Sequence, residues 1–148
     1  MSDFSEQKLI KKIILFISMI LFVSSFTQKC YCTESSCGDS LAVLFLGSFG
    51  FFTCPARFTW LANPAILISW INFNKNYKTS FIASLIAVAL SFSFLFFRQI
   101  IADEAGNYSK ITGYRLGYWL WLSSSVAILI GNVITKLYDR RLVVKVVE

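Results

Sequence analysis

The chain contains no histidine. That removes the commonest general base, the usual proton shuttle near neutral pH and the most frequent metal ligand. Charge is scarce too: 15% of residues are charged, against about 25% in an ordinary soluble domain. There are only two prolines, and no repeat, low-complexity tract or long polar linker marks a domain boundary. Phosphate-binding glycine loops, a Gly-x-Ser-x-Gly elbow, a His-Glu-x-x-His motif and nucleic-acid modules are all missing. The absences weigh against catalysis, leave no cofactor or metal to expect, and leave nucleic acid without a reader.

What is present is apolar. Of 148 residues, 56% are hydrophobic and 17% aromatic, and mean hydropathy is +0.64. A soluble globule of this composition would expose far more apolar surface than is normal. The apolar residues fall into four stretches: Ile13–Phe26, Leu41–Phe73, Ser80–Phe97 and Leu116–Thr135. A spanning helix needs about 20 such residues. The expected fold is therefore an all-α integral membrane protein, a four-helix transmembrane bundle in one domain covering 1–148. Its spans are expected near 11–28, 41–73, 79–97 and 116–136.

The first stretch follows Lys8, Lys11 and Lys12, which also resembles the opening of a signal peptide. Its small-residue cleavage signal is poor, so a retained anchor is expected. The second stretch is 33 residues long, too long for one straight span and too short for two. Gly47, Gly50, Pro55 and Pro64 supply bend points. The span is expected to break or re-enter near residues 53–57, with a kink at Pro64.

Cations set the orientation. Lys8, Lys11, Lys12, Lys75, Lys78, Lys136, Arg140, Arg141 and Lys145 fall on one side of a four-crossing topology. The opposite loops mix Lys29, Arg98, Lys110 and Arg115 with Glu34, Asp39, Asp103 and Glu104. Both termini are expected to be cytoplasmic, in a multi-pass protein of a bacterial inner membrane. The net charge of +6 then reports basic flanks rather than nucleic-acid binding. The tail after Arg141 reads equally as a strand-like extension or as the end of the last helix.

Three groups of residues could carry chemistry. Cys30, Cys32 and Cys37 share one outer loop, and Cys54 sits at the expected break. An oxidising compartment favours disulfides. A Cys30–Cys32 ring would be strained, leaving Cys30–Cys37 or Cys32–Cys37, with the remaining cysteine within reach of Cys54. Arg57 is a cation near the membrane-embedded break, and such a group is a functional candidate unless it snorkels to the interface. Asp103 and Glu104 are adjacent carboxylates in the other outer loop. Neighbours on a helix point about 100° apart, so they form no dyad by sequence alone. Gly113-x-x-x-Gly117 and Ala83-x-x-x-Ala87 fit close helix contacts, within the bundle or between copies of the chain.

Together these features favour a small bundle that binds rather than catalyses. It is expected to lie in a lipid bilayer and contact another membrane protein, as an immunity protein against a membrane-active toxin or an accessory subunit. Two alternatives stand beside it: a thiol–disulfide oxidoreductase using the four cysteines, and a small-solute or lipid-interacting protein built around Arg57.

Overall fold

A computed structural model describes residues 2–50, 55–101 and 106–147. The chain is mostly helical. Helix α1 spans Ser2–Ser25, a run free of glycine and proline. Strands β1, Lys29–Thr33, and β2, Cys37–Asp39, follow as a hairpin. Helix α2 covers Ser40–Gly50. A 3-10 helix, Pro55–Leu61, then runs directly into α3, Ala62–Asn72. Helix α4 is Tyr77–Ser93 and ends in a short 3-10 turn, Phe94–Phe96. Strands β3, Gln99–Ile101, and β4, Tyr108–Tyr114, form a second hairpin before α5, Leu116–Val147.

The all-α expectation is corrected by a four-stranded antiparallel sheet in the order β2-β1-β4-β3. The apolar pattern puts these residues in loops between helices. Each hairpin is short and half-polar, and neither can bury enough to stand alone. They become stable by pairing with each other across the middle, where Tyr31 lies opposite Tyr114 and Cys32 opposite Gly113. The outer pairs set Cys32 against Cys37 and Gln99 against Lys110.

This sheet collects two distant connections, α1 to α2 and α4 to α5, at one end of the molecule. The turn from α3 to α4 lies at the other end. There Asn76 caps α4, its side-chain oxygen accepting from the Thr79 backbone N–H at 3.3 Å. Helix α1 packs on α5, α3 on α4, and α4 on α5. Gly131 permits the α1–α5 approach: a Cβ there would stand 2.6 Å from Ile14 and 3.1 Å from Phe73. The tail resolves as helix, since α5 continues to Val147.

Two helical segments, Tyr77–Phe96 and Leu116–Tyr138, are long and apolar enough to cross a membrane. Helix α1 has the length but carries Lys8, Lys11 and Lys12 in its first half. In the second stretch the 3-10 helix and α3 run on from each other over 18 residues, about 30 Å of rise. Residues 53 and 54 of the expected break lie outside the described residues. Pro64, the expected kink position, lies two residues after the change from 3-10 to α-helix. It sits in that helix's first turn, where its missing N–H has no intrahelical partner to lose. The irregularity is the change of helix type just before it.

The helices bury small polar side chains beside apolar ones such as Phe22, Ile66 and Ile128, and leave many large apolar side chains exposed. Ser18, Ser69, Ser80, Ser84, Ser91, Ser124, Ser125 and Asn132 are buried almost completely. Phe16, Ile20, Phe45, Leu46, Ile71, Leu85 and Phe92 are exposed. Four of these serines donate between helices, while Ser84, Ser91 and Ser125 donate within their own helix. Ser18 and Ser124 each donate to the other's backbone carbonyl at 2.9 Å. Ser69 and Ser80 do the same at 3.0 and 2.9 Å. Trp70 Nε1 donates to Ser18 Oγ at 2.9 Å.

Candidate functional site

The sheet joins the helices through aromatic side chains. Tyr31 of β1, Phe94 at the end of α4, Tyr114 of β4 and Tyr118 of α5 form one chain of ring contacts, with centroids 4.8–5.8 Å apart. Tyr118 is completely buried, and its hydroxyl donates to the Ser91 carbonyl at 2.9 Å. The Tyr114 hydroxyl donates to the Phe94 carbonyl at 3.1 Å, and burial holds its pKa above the usual phenol value. Gly117 lets α5 start directly under the cap: a Cβ there would clash with Ser40 Oγ and stand 2.7 Å from the Lys29 carbonyl.

Beside this joint lies a half-open cavity of about 80 Å³. Its walls come from the end of α1, strand β1, helix α2, the 3-10 helix, the start of α3, the turn after α4, strand β3 and the first turns of α5. The walls are mostly apolar, contributed by side chains such as Val43, Leu44, Ala56, Trp60, Phe94 and Trp121. The polar groups among them are already engaged. Trp121 Nε1 donates to Asn63 Oδ1 at 2.8 Å, and Asn63 Nδ2 donates to the Trp60 carbonyl at 2.9 Å. Trp60 Nε1 donates to the Leu44 carbonyl at 2.6 Å, tying α2 to the 3-10 helix. Ser40 Oγ donates to the Gln28 carbonyl at 2.7 Å. Thr59 Oγ1 donates to the Ala56 carbonyl at 2.7 Å.

The cysteines separate into two roles. Cys32 and Cys37 form a disulfide that ties β1 to β2, choosing between the two pairings the spacing left open. Arg115 Nε donates to Cys32 Sγ at 3.1 Å. Cys30 is a free, buried thiol in the cavity wall. Burial pushes its pKa from near 9 up to about 12, against a smaller opposing effect from a hydrogen bond with Ser40. A thiol held protonated in this way is a poor nucleophile.

Other sequence candidates are less fully placed. Arg57 has its backbone in the 3-10 helix, one residue from the cavity-lining Ala56, and its side chain lies outside what is described. Cys54, Asp103 and Glu104 also lie outside the described residues. Gly113 is in strand β4 rather than a helix. Ala83 and Ala87 are buried within the chain. Among the described residues, no cluster of His, Cys, Asp and Glu could hold a metal.

Sequence reasoning missed Asn63, Trp121, Ser40 and Gly117 as site residues. Asn63 carried a signal: it is a lone amide inside an apolar run, next to Pro64. A buried amide must find partners, and Trp121 supplies one. Comparison with known proteins finds no matching family model, no matching curated protein and no matching solved structure.

Proposed function

We propose that this chain is a multi-pass inner-membrane protein that works by binding another membrane protein. The four antiparallel crossings would be α1, the 3-10 helix with α3, α4, and α5, with the sheet as an outer cap. The buried serines and the exposed apolar faces of the helices support the membrane part. Serine and asparagine inside with phenylalanine and isoleucine outside suits lipid as the solvent, where the helices gain from small-residue packing and interhelical hydrogen bonds. The basic flanks support a cytoplasmic location for the turn from α3 to α4 and for both termini.

The observation that carries the binding part is α2. This helix is a fifth element that adds no crossing. It packs on the sheet and the 3-10 helix, and leaves Leu41, Phe45 and Leu46 exposed at 46%, 60% and 69%. An uncharged helix laid beside the bundle next to the cap presents a surface rather than filling a core. Protection against a membrane-inserting toxin, or service as an accessory subunit, both fit such a surface.

Photocrosslinking in cells tests this reading. A photoreactive side chain at Phe45 is expected to give one discrete protein adduct, whereas the same group at Phe16 on α1 gives lipid adducts. Identical lipid-only labelling at both positions would refute a partner on α2. Leu46→Gln is expected to abolish the adduct without changing the amount of protein.

A second reading has an observation of its own. The cavity beside the 3-10 helix suits an apolar ligand, so the lipid-interacting alternative moves from Arg57 to this pocket. The oxidoreductase alternative gains less, because the free thiol is buried and protonated.

A further inference from the structure

We infer that the cavity under the sheet cap is a binding site for the end of one acyl chain of a membrane phospholipid. The inference rests on the membrane reading above and names the ligand class of that pocket.

Three observations converge on this chemistry. First, the donors in the wall are spent. The hydroxyls of Ser40 and Thr59 and the indole N–H groups of Trp60 and Trp121 all bond to protein acceptors. A sugar, an ion or a polar peptide entering the pocket would lose water and find few free partners. An alkyl chain loses nothing of that kind.

Second, the pocket is continuous with surface that lipid would cover. Its 3-10 wall, Ala56 and Thr59, is flanked by exposed Phe58, and its α5 wall at Gly117 by exposed Leu116. An occupant drawn from the phase around those side chains is a lipid chain.

Third, the pocket sits at the correct depth. Its α5 wall runs from Gly117 to Trp121, the first turn and a half of a helix that starts one residue after the cap strand's neighbour Arg115. That is about 2–8 Å below the start of α5, in the outer part of the hydrocarbon layer. The indoles of Trp60 and Trp121 are suited to this boundary, with an apolar body and one satisfied N–H.

The test uses the full-length protein in liposomes of phosphatidylcholine carrying a diazirine on one acyl chain. Photolysis and peptide mapping are expected to place label on the segments containing Val43–Leu44 and Trp60, enriched at least about fivefold over the lipid-facing part of α1, because a concave apolar site holds its ligand longer than an open face does. Ala56→Trp is designed to fill the cavity and remove that enrichment while labelling of α1 stays unchanged. Val43→Phe is a smaller second plug, and protection of Cys30 from maleimide reports that either variant is folded. Label spread evenly over all exposed apolar faces would overturn the inference. So would pocket label that survives both plugs in folded protein. Alkaline carbonate extraction separates the two levels: a protein that stays in the bilayer but shows no pocket label refutes only the acyl-chain site, whereas a protein released by carbonate refutes the membrane reading itself.

Discussion

In the helical bundle, the inward side chains include Ser18, Ser84, Ser124 and Asn132, and the outward ones include Phe16, Ile86 and Phe92. In the sheet cap the order is the familiar one. Cys30, Cys32 and Ile100 face in, while Gln99 and Lys110 face out, and Lys29 pairs with Asp39 at 2.7 Å on the exposed edge. The cap is also tied by a disulfide, and the bundle by hydroxyl-to-carbonyl bonds between helices. One chain thus follows two burial rules, and the boundary is the aromatic joint at Tyr31, Phe94, Tyr114 and Tyr118. The difference is what two solvents would impose: water over the cap, lipid around the helices.

The sharpest way to break this comparison is to exchange the surfaces. Ile86→Arg places a cation on the outward face of α4, which is 47% exposed at that position. If lipid covers it, the substitution costs about 2.5–3.5 kcal/mol of insertion. Lys110→Leu in the cap is expected to stay within about 0.5 kcal/mol. Both are read as the amount of protein in the membrane fraction. Wild-type accumulation of Ile86→Arg would mean that water, not lipid, bathes the helices.

The cap should respond to a change that the bundle ignores. Cys37→Ser opens the Cys32–Cys37 loop and is expected to cost about 2 kcal/mol, by releasing a short closed loop in the unfolded state. Thermal unfolding of the purified protein measures it. The loss is expected to be confined to the cap, so protease sensitivity of the 33–37 turn should rise while helical circular dichroism is retained. A uniform loss of helix would show that the cap and bundle unfold together.

Cys30 sharpens the boundary between them. Its folded pKa is raised from near 9 to about 12 by burial. The folded state therefore holds the proton more tightly than the unfolded one. The contribution is complete below pH 9 and is lost as pH rises from there toward 12, by about 1 kcal/mol per unit. Cys30→Ala is expected to flatten that alkaline decline, measured as unfolding midpoints at pH 8, 9 and 10. Maleimide should reach Cys30 only after unfolding. Ready labelling in the native protein at pH 8 would place the thiol outside the sealed joint.

The helices were legible because uninterrupted apolar runs such as Ser80–Phe97 have one economical solution. The sheet was not. Its central pairing joins Tyr31 to Tyr114 across 83 positions, and no local pattern encodes a partner that distant. Strand β4, Tyr-Ser-Lys-Ile-Thr-Gly-Tyr, did carry a local hint in its aromatic and β-branched residues and in the turn at Gly106, whose φ is +85°. Cysteine spacing reduced the disulfide to two choices and could not pick one, because the choice depends on the register of β1 against β2. The cavity was invisible for the same reason: segments from α1 to α5 build it together. Only Asn63, an amide stranded among apolar residues, pointed toward it.

The smallest expected effect discriminates most finely between the two solvents. Asn132 is buried at 1% exposure, and its Nδ2 donates to Ser84 Oγ at 3.2 Å and to the Ile128 carbonyl at 3.1 Å. In a water-soluble core, deleting one partner of such a bond costs about 1–3 kcal/mol, because the other is left desolvated while the unfolded chain is fully hydrated. Within a bilayer the helices separated from one another remain in lipid and find substitute partners, so the coupling averages about 0.6 kcal/mol. A double-mutant cycle of Asn132→Leu and Ser84→Ala, followed by unfolding in mixed micelles, should give the lower value. A coupling energy near 2 kcal/mol would place this pair in a water-referenced core and erase the contrast between bundle and cap.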